Sequence, residues 1–297
     1  MRFGWGRDNR RPQPTVVPPA ASGDAFDADA LTFIAAHEAA SLTTMDTLQR
    51  TAINNMYLRL KGWDTSNGSD LWSLFDNTKH AIYPYAPSSD TAASAGGYSL
   101  NMVDPSAFTI TWVNFVPDDF LPSGLAGNGT SKYGRTGVNI LNVIGTWDFG
   151  VDVYLRNQAN RSDSNAGGFL AATPYHGMDH TPYYSATDIS YIGNTTVGYG
   201  TTQPTRTGLM SIQRSGTTQT KHRNGVQYDS RAVTGILPSI EIYIHARNYG
   251  GAANFYSQRN IAGIAASRPH FTAAQMADWS EIWEKYNTEI ITGGRNV

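Results

Sequence analysis

The chain has 297 residues, 40% hydrophobic and 11% aromatic, enough for one large β domain with additions or two small domains, and too apolar for a disordered polymer. A formal net charge of -2 gives no field to recruit nucleic acid or an anionic membrane. No apolar run reaches the ~20 residues of a membrane-spanning helix, and the lack of cysteine excludes disulfides, thiolate nucleophiles and cysteine-held metals.

The chain opens with MRFGWGRDNRRPQPTVVPPAASG, which has no continuous apolar stretch of signal-peptide type. Residues 1–24 read as an extended basic, proline-rich arm, with aromatic hooks at Phe3 and Trp5 and arginines at Arg7, Arg10 and Arg11. Such an arm is either a disordered terminus or a segment that orders on a partner. Residues 25–84 read as a small helical module. Asp27 or Asp29 caps a helix carrying Leu31, Phe33 and Ile34. In the next helix Leu48, Ala52, Met56 and Leu60 recur every four residues beside Ile53, Thr43 stands three before Asp46 at helix-start spacing, and Gly62 is the stop.

From residue 85 to 297 the rhythm becomes short strands between Gly, Asn, Asp and Pro. In DFGVDVYL, Val151, Val153 and Leu155 alternate with Asp152 and Tyr154, which separates a buried sheet face from a wetter one. In IEIYIHARN, Ile240, Ile242 and Ile244 point one way and Glu241, Tyr243 and His245 the other. MSIQRSGTTQTKHRNGVQYDSR reverses twice, at Ser215-Gly216 and Asn224-Gly225, so the charged run KHRNGVQYDSR reads first as a solvated hairpin corner. Many short strands without intervening long helices predict two packed antiparallel sheets. A C-terminal capping helix over 273–288 starts at Thr272 with Gln275 in the reciprocal position, and its Met276, Trp279, Trp283 and Tyr286 stripe is predicted to be buried within the chain.

The search for chemistry yields little. His176 and His180 flank Asp179 in HGMDH, but glycine and proline neighbours favour a loop, and the pattern lacks the glutamate of a zinc helix. Asn160, Asp163 and Asn165 in NRSDSN supply one carboxylate for a calcium-type loop, too few for the usual ligand set. Glu241 stands alone on its strand, and Asp148 and Asp152 have no third acid at matching spacing. With no nucleophile elbow, phosphate loop or dinucleotide fingerprint, the sequence predicts no enzyme, no cofactor and no metal. Carbohydrate binding survives better: Tyr175, Tyr183, Tyr184 and Tyr191, beside His176, Asp179 and His180, offer stacking faces with polar handles.

The order FIAAHEAASLTTMDTLQRTAINNMYLRLKG, DLWSLFDNTKHAIYPYA, YSLNMVDPSAFTITW, then GLMSIQRSGTTQTKHRNGVQYDSR, IEIYIHARN and the helix after FTAAQ resembles tailed-bacteriophage virion structural proteins with a concanavalin-like or laminin-G-like jelly-roll domain. The resemblance covers roughly residues 30 to 290 and matches Leu71-Trp72, Ile82-Tyr83-Pro84, Asn224-Gly225 and the Thr272 cap. It implies an antiparallel jelly-roll β-sandwich with an N-terminal helical module and a C-terminal capping helix. It also implies a virion component, on a capsid surface, fibre or tail appendage, that forms a homo-oligomer and contacts other virion structural proteins. The alternative is a carbohydrate-binding adhesion module for host-surface or environmental glycans. Neither reading involves membrane insertion or specific nucleic-acid binding.

Overall fold

The computed structural model describes residues 26–84, 87, 95–157, 163–170, 176–181, 188–194 and 207–291. Helix α1 (Ala28–Ser41) starts where the Asp27 side chain accepts the Asp29 and Ala30 amides. Helix α2 (Thr47–Leu60) starts where Asp46 accepts the Gln49 amide, so Asp46 rather than Thr43 is its cap.

The strands follow in chain order: β1 (Ala81–Tyr83), β2 (Thr111–Val113), β3 (Phe120–Leu121), β4 (Gly124–Ala126), β5 (Tyr133–Asn139), β6 (Phe149–Leu155), β7 (Ala166–Phe169) and β8 (His176–His180). Then come β9 (Tyr191–Asn194), β10 (Gly208–Ser215), β11 (Thr218–Arg223), β12 (Val226–Ala232), β13 (Glu241–Ile244), β14 (Arg247–Tyr249), β15 (Ala252–Asn254) and β16 (Asn260–Pro269). Helix α3 (Ala273–Glu289) follows them.

The first sheet runs β12-β11-β10-β6-β16-β4-β3, with β1 also on β16. The second runs β15-β14-β7-β13-β5-β2, with β8 on β7 and β9 on β8. Their inner faces share one core: Val151, Val153, Leu155, Ile212 and Ile264 from the first, and Val138, Met178, Ile192, Ile242 and Ile244 from the second.

The antiparallel, concanavalin-like jelly-roll sandwich expected from the sequence is corrected by this topology. Strand β14 pairs parallel to β7 and Ser164 bridges Tyr256 in parallel, while β7 has three partners, β8, β13 and β14, so the second sheet is mixed and branched. The cause is local. His245 has a left-handed φ of 58°, its amide donates to the Asn165 carbonyl, and the chain turns back there, so β13 and β14 meet β7 in opposite directions.

A second core lies on the outer face of the first sheet. Tyr154, Leu209, Ala262 and Ala265 of that face pack with Phe33, Ile53, Met56 and Tyr57 of α1 and α2 and with Met276, Trp279, Trp283 and Tyr286 of α3. The α3 stripe is buried, and its N-terminus carries the reciprocal Thr272–Gln275 cap. The wetter face expected on β6 is therefore dry: all seven β6 residues are buried. Asp152 is held there by an ion pair with Arg268 and accepts a 2.9 Å bond from Trp279 Nε1.

Asn224 and Gly225 form the two-residue turn between β11 and β12, with φ of 48° and 79°. The corner is less solvated than its charge suggests. Lys221 and His222 are buried, and a Cβ on Gly225 would stand 3.0 Å from the Ala277 Cα, so the tip rests on α3.

Candidate functional site

The outer face of the second sheet carries an array of polar and aromatic groups that no helix covers among the described residues. Alternation along β5 sends Thr136 and Val138 inward and Tyr133 and Arg135 outward, and along β13 it sends Ile242 and Ile244 inward and Glu241 and Tyr243 outward. Strand register then aligns Thr111, Arg135, Tyr243, Gly167, Asp179 and Tyr191 in one row across six strands.

At one end of the row the Tyr133 and Tyr243 rings stack at 5.1 Å between centroids, with Tyr256 6.1 Å from Tyr133. The Arg135 guanidinium lies 5.9 Å from the centre of the Tyr243 ring and 3.1 Å from Glu241. Glu241 also accepts the Gly137 amide at 2.8 Å. The Arg135 side chain is 53% exposed and Glu241 17%, so this end is open to solvent. Burial, aided by the Glu241 charge, pushes the Tyr243 phenol above its usual range and keeps it a proton donor.

At the other end Arg247 crosses β7 to reach Asp179 at 3.3 Å. It passes over Gly167, where a Cβ would stand 3.0 Å from Arg247 Cγ and 3.1 Å from Asp179 Oδ1. Ser164 and Thr181 hydroxyls donate to the same carboxylate. Burial raises the Asp179 pKa, and Arg247 and the two hydroxyls pull against it. Arg247 also lies 4.0 Å from the centre of the Phe255 ring and donates to Asn254. Phe255 is 39% exposed and holds a left-handed φ of 52°, a costly conformation for a bulky residue that presents its ring outward.

The sequence-predicted residues divide between the two faces. Asp179 and Tyr191 are opposite one another on the outer side of their strands, but both are buried. His176 and His180 alternate with Asp179 and share the inward side with Met178, a core residue. His180 Nε2 lies 3.1 Å from the Met210 carbonyl of the first sheet, and burial lowers its pKa to about 4. The two histidines therefore cannot join Asp179 on one ligand. Tyr175, Tyr183 and Tyr184 lie outside the described residues, as do Asn160 and the arm residues Phe3, Trp5, Arg7, Arg10 and Arg11. Asp163 is engaged by the Arg259 guanidinium at 2.9 Å and the Gln258 amide at 3.1 Å, so a cation of another kind occupies that carboxylate. Among the described residues no group of three His, Asp or Glu side chains is placed to hold a metal ion.

Sequence reading missed Tyr133, Arg135, Arg247 and Tyr256. Its period of two did put Glu241 and Tyr243 on the wetter side of their strand, but it put His245 there too, and His245 is fully buried at the chain reversal. What no single strand discloses is register, which decides the neighbours.

No protein-family model matches the sequence, and no curated protein matches it. Solved structures do match. Trypanosoma rangeli sialidase in complex with sialic acid is 11% identical with a TM-score of 0.48, over 80% of this chain and 38% of that one. Domain 4 of AbnA, a GH43 extracellular arabinanase from Geobacillus stearothermophilus, in complex with arabinotriose, is 12% identical with a TM-score of 0.39, over 68% of this chain and 98% of that one. The NanB sialidase of Streptococcus pneumoniae is 13% identical with a TM-score of 0.33, over 44% of this chain and 24% of that one. The chain thus spans well under half the length of the sialidases it matches. At these identities and scores no activity, substrate or partner passes from those proteins to this one.

These matches correct the tailed-phage resemblance, and with it the virion function, the capsid, fibre or tail placement, the virion partners and the virion location drawn from it. The expectation that the chain is not an enzyme is withdrawn too: it rested on counting acids along single strands, and the structures that match include sialidases. The pairing of Glu241 with Arg135 and of Asp179 with Arg247 was invisible to a count of acids along single strands.

Proposed function

We propose that the chain is a carbohydrate-binding protein whose site is the outer face of the second sheet. The observation that carries this is the stacked Tyr133–Tyr243 pair flanked by Tyr256 and by the Arg135–Glu241 ion pair. A pyranose or furanose ring presents C–H groups on its faces and hydroxyls around its edge. Tyrosine rings cover the first, while a guanidinium and a carboxylate fixed beside them donate to and accept from the second. Arg135 and Glu241 hold each other in place, which lowers the cost of ordering them around a ligand. Arg247, fixed by the buried Asp179 and set beside the exposed Phe255 ring, lies next along the sheet and bounds the site on that side.

The test is a glycan array followed by calorimetry on each hit. Tyr133→Ala and Arg135→Ala are each expected to weaken binding at least tenfold while the melting temperature stays within a few degrees of the parent. A protein that binds no glycan, or one whose binding is untouched by both changes, removes the assignment of this face.

A further inference from the structure

Away from this face, the described residues bury a lysine against an aspartate. Lys221 on β11 of the first sheet and Asp188, just before β9 of the second, are each 1% exposed at the side chain, and Lys221 Nζ is 3.3 Å from Asp188 Oδ1. The Asp188 carboxylate is oriented from both sides. The Ser190 amide donates to Oδ1 at 2.8 Å and the Tyr228 hydroxyl to Oδ2 at 2.6 Å. Lys221 Nζ also lies 3.4 Å from the Asp188 carbonyl oxygen. We infer that Lys221 and Asp188 form an intramolecular isopeptide bond that ties the two sheets together.

The chemistry balances without any added reagent. A proton passes from the ammonium to the carboxylate, giving a neutral amine and a neutral acid. The amine lone pair attacks Asp188 Cγ, and Oδ1 carries the negative charge of the tetrahedral stage, where the Ser190 N–H already points. Oδ2 departs as water, protonated by the Tyr228 hydroxyl, which recovers its proton from the attacking nitrogen. An ammonium and a carboxylate thus become one amide and one water.

Three features favour this outcome over a plain buried salt bridge. Burial lowers the Lys221 pKa, against the pull of Asp188 and Asp229, and so favours the nucleophilic neutral amine. Tyr228 has its pKa raised by burial and by Asp188, so it stays protonated as an acid for the leaving oxygen. Exclusion of water removes the solvent that stabilises the separated ions, while a neutral amide costs far less to bury. The neighbourhood is also fixed: Ile192 donates to Gln219 Oε1 at 2.7 Å and Arg214 to the Ile192 carbonyl at 3.2 Å, holding β9 against β10 and β11.

The full chain, purified and held at neutral pH, is read by intact-mass spectrometry under denaturing conditions and then by peptide mapping. The expected result is a mass one water below that of the sequence and a branched peptide joining Lys221 to Asp188, with Lys221→Arg restoring the full mass. A wild-type protein that keeps its full mass after prolonged incubation overturns the inference. So does a water loss that persists in Lys221→Arg, which would place the dehydration elsewhere. Should Lys221→Arg fail to accumulate, the branched peptide in the wild type decides alone.

Discussion

An ion pair on the outer face of the first sheet and one at the open end of the second live under opposite conditions. Arg268 and Asp152 on the first sheet are both fully buried beneath α3, while Arg135 and Glu241 on the second are 53% and 17% exposed. The strands that bear the two acids, FGVDVYL and EIYI, show the same alternation of apolar and polar residues. Polarity in a strand pattern therefore identifies an outer face and leaves open whether water or a helix lies over it. On the first sheet the helices make the polar groups structural. At the Arg135–Glu241 end of the second, the same kinds of group stay open to solvent.

The sharpest contrast comes from removing the side chain that ties helix to sheet. Trp279→Ala opens a cavity in the helix-covered core and deletes the bond to Asp152, with an expected loss of about 3 to 5 kcal/mol in urea unfolding. The analogous truncation on the open face, Tyr133→Ala, is expected to lose far less; equal losses would abolish the distinction between the faces. Asp152→Ala strands a buried guanidinium and should cost a comparable 3 to 5 kcal/mol, roughly. Replacing both partners with Asp152→Leu and Arg268→Met recovers most of that loss if the pair is a positional device rather than a source of net stability.

Acid tests the buried histidines of the helical layer and of the sheets. Burial lowers the pKa of His37 and His180 to about 4 and of His245 to about 3. The unfolded chain takes up these protons near pH 6.5 and the folded chain resists them. The stability they protect is complete above about pH 6.5 and drains away as pH falls toward 4, by up to about 3 kcal/mol for each of the first two. Asp179, with its raised pKa, acts with the opposite sign and offsets part of the decline. His37 packs against Tyr98 with ring centroids 4.7 Å apart, and His37→Phe should flatten the pH dependence of the urea midpoint. An unchanged slope would show that the ring is already protonated or hydrated when folded.

The smallest expected change in stability is at Arg135. Its ion pair with Glu241 is exposed, so Arg135→Ala should alter unfolding by no more than about 1 kcal/mol. Combined with the tenfold loss of glycan affinity expected above, that result would separate binding from folding on the open face.

The local signals in the sequence were legible because their physics is local. Thr272 with Gln275 marks a helix start, Asn224-Gly225 accepts the left-handed angles of its turn, and the Met276 to Tyr286 stripe has nowhere to go but inward. The branch of the second sheet was not legible, because it depends on His245, a residue with no intrinsic preference strong enough to announce a reversal. The candidate site was half legible. Asp179 and Tyr191 were singled out for their company in sequence, but Arg135 and Arg247 join them only through register, in pairings as distant as Arg135 with Tyr243 and Arg247 with Gly167. The family resemblance failed for a related reason: the order of capped helices and turns recurs wherever those local devices are used, whatever surface they support.

Strand β16 lies between β6 on one edge and β1 and β4 on the other, yet it follows every other strand in the chain. Its pairing of Ile264 with Val153 closes a loop of more than a hundred residues. While the ribosome is still adding those last strand residues, β6 has one bare edge and α3 has not been made to cover the face behind it. Such an edge invites pairing with a neighbouring nascent chain. The protein should therefore depend on chaperone shielding until synthesis passes α3, and its yield in cells should fall with chaperone depletion more steeply than its equilibrium stability alone would indicate.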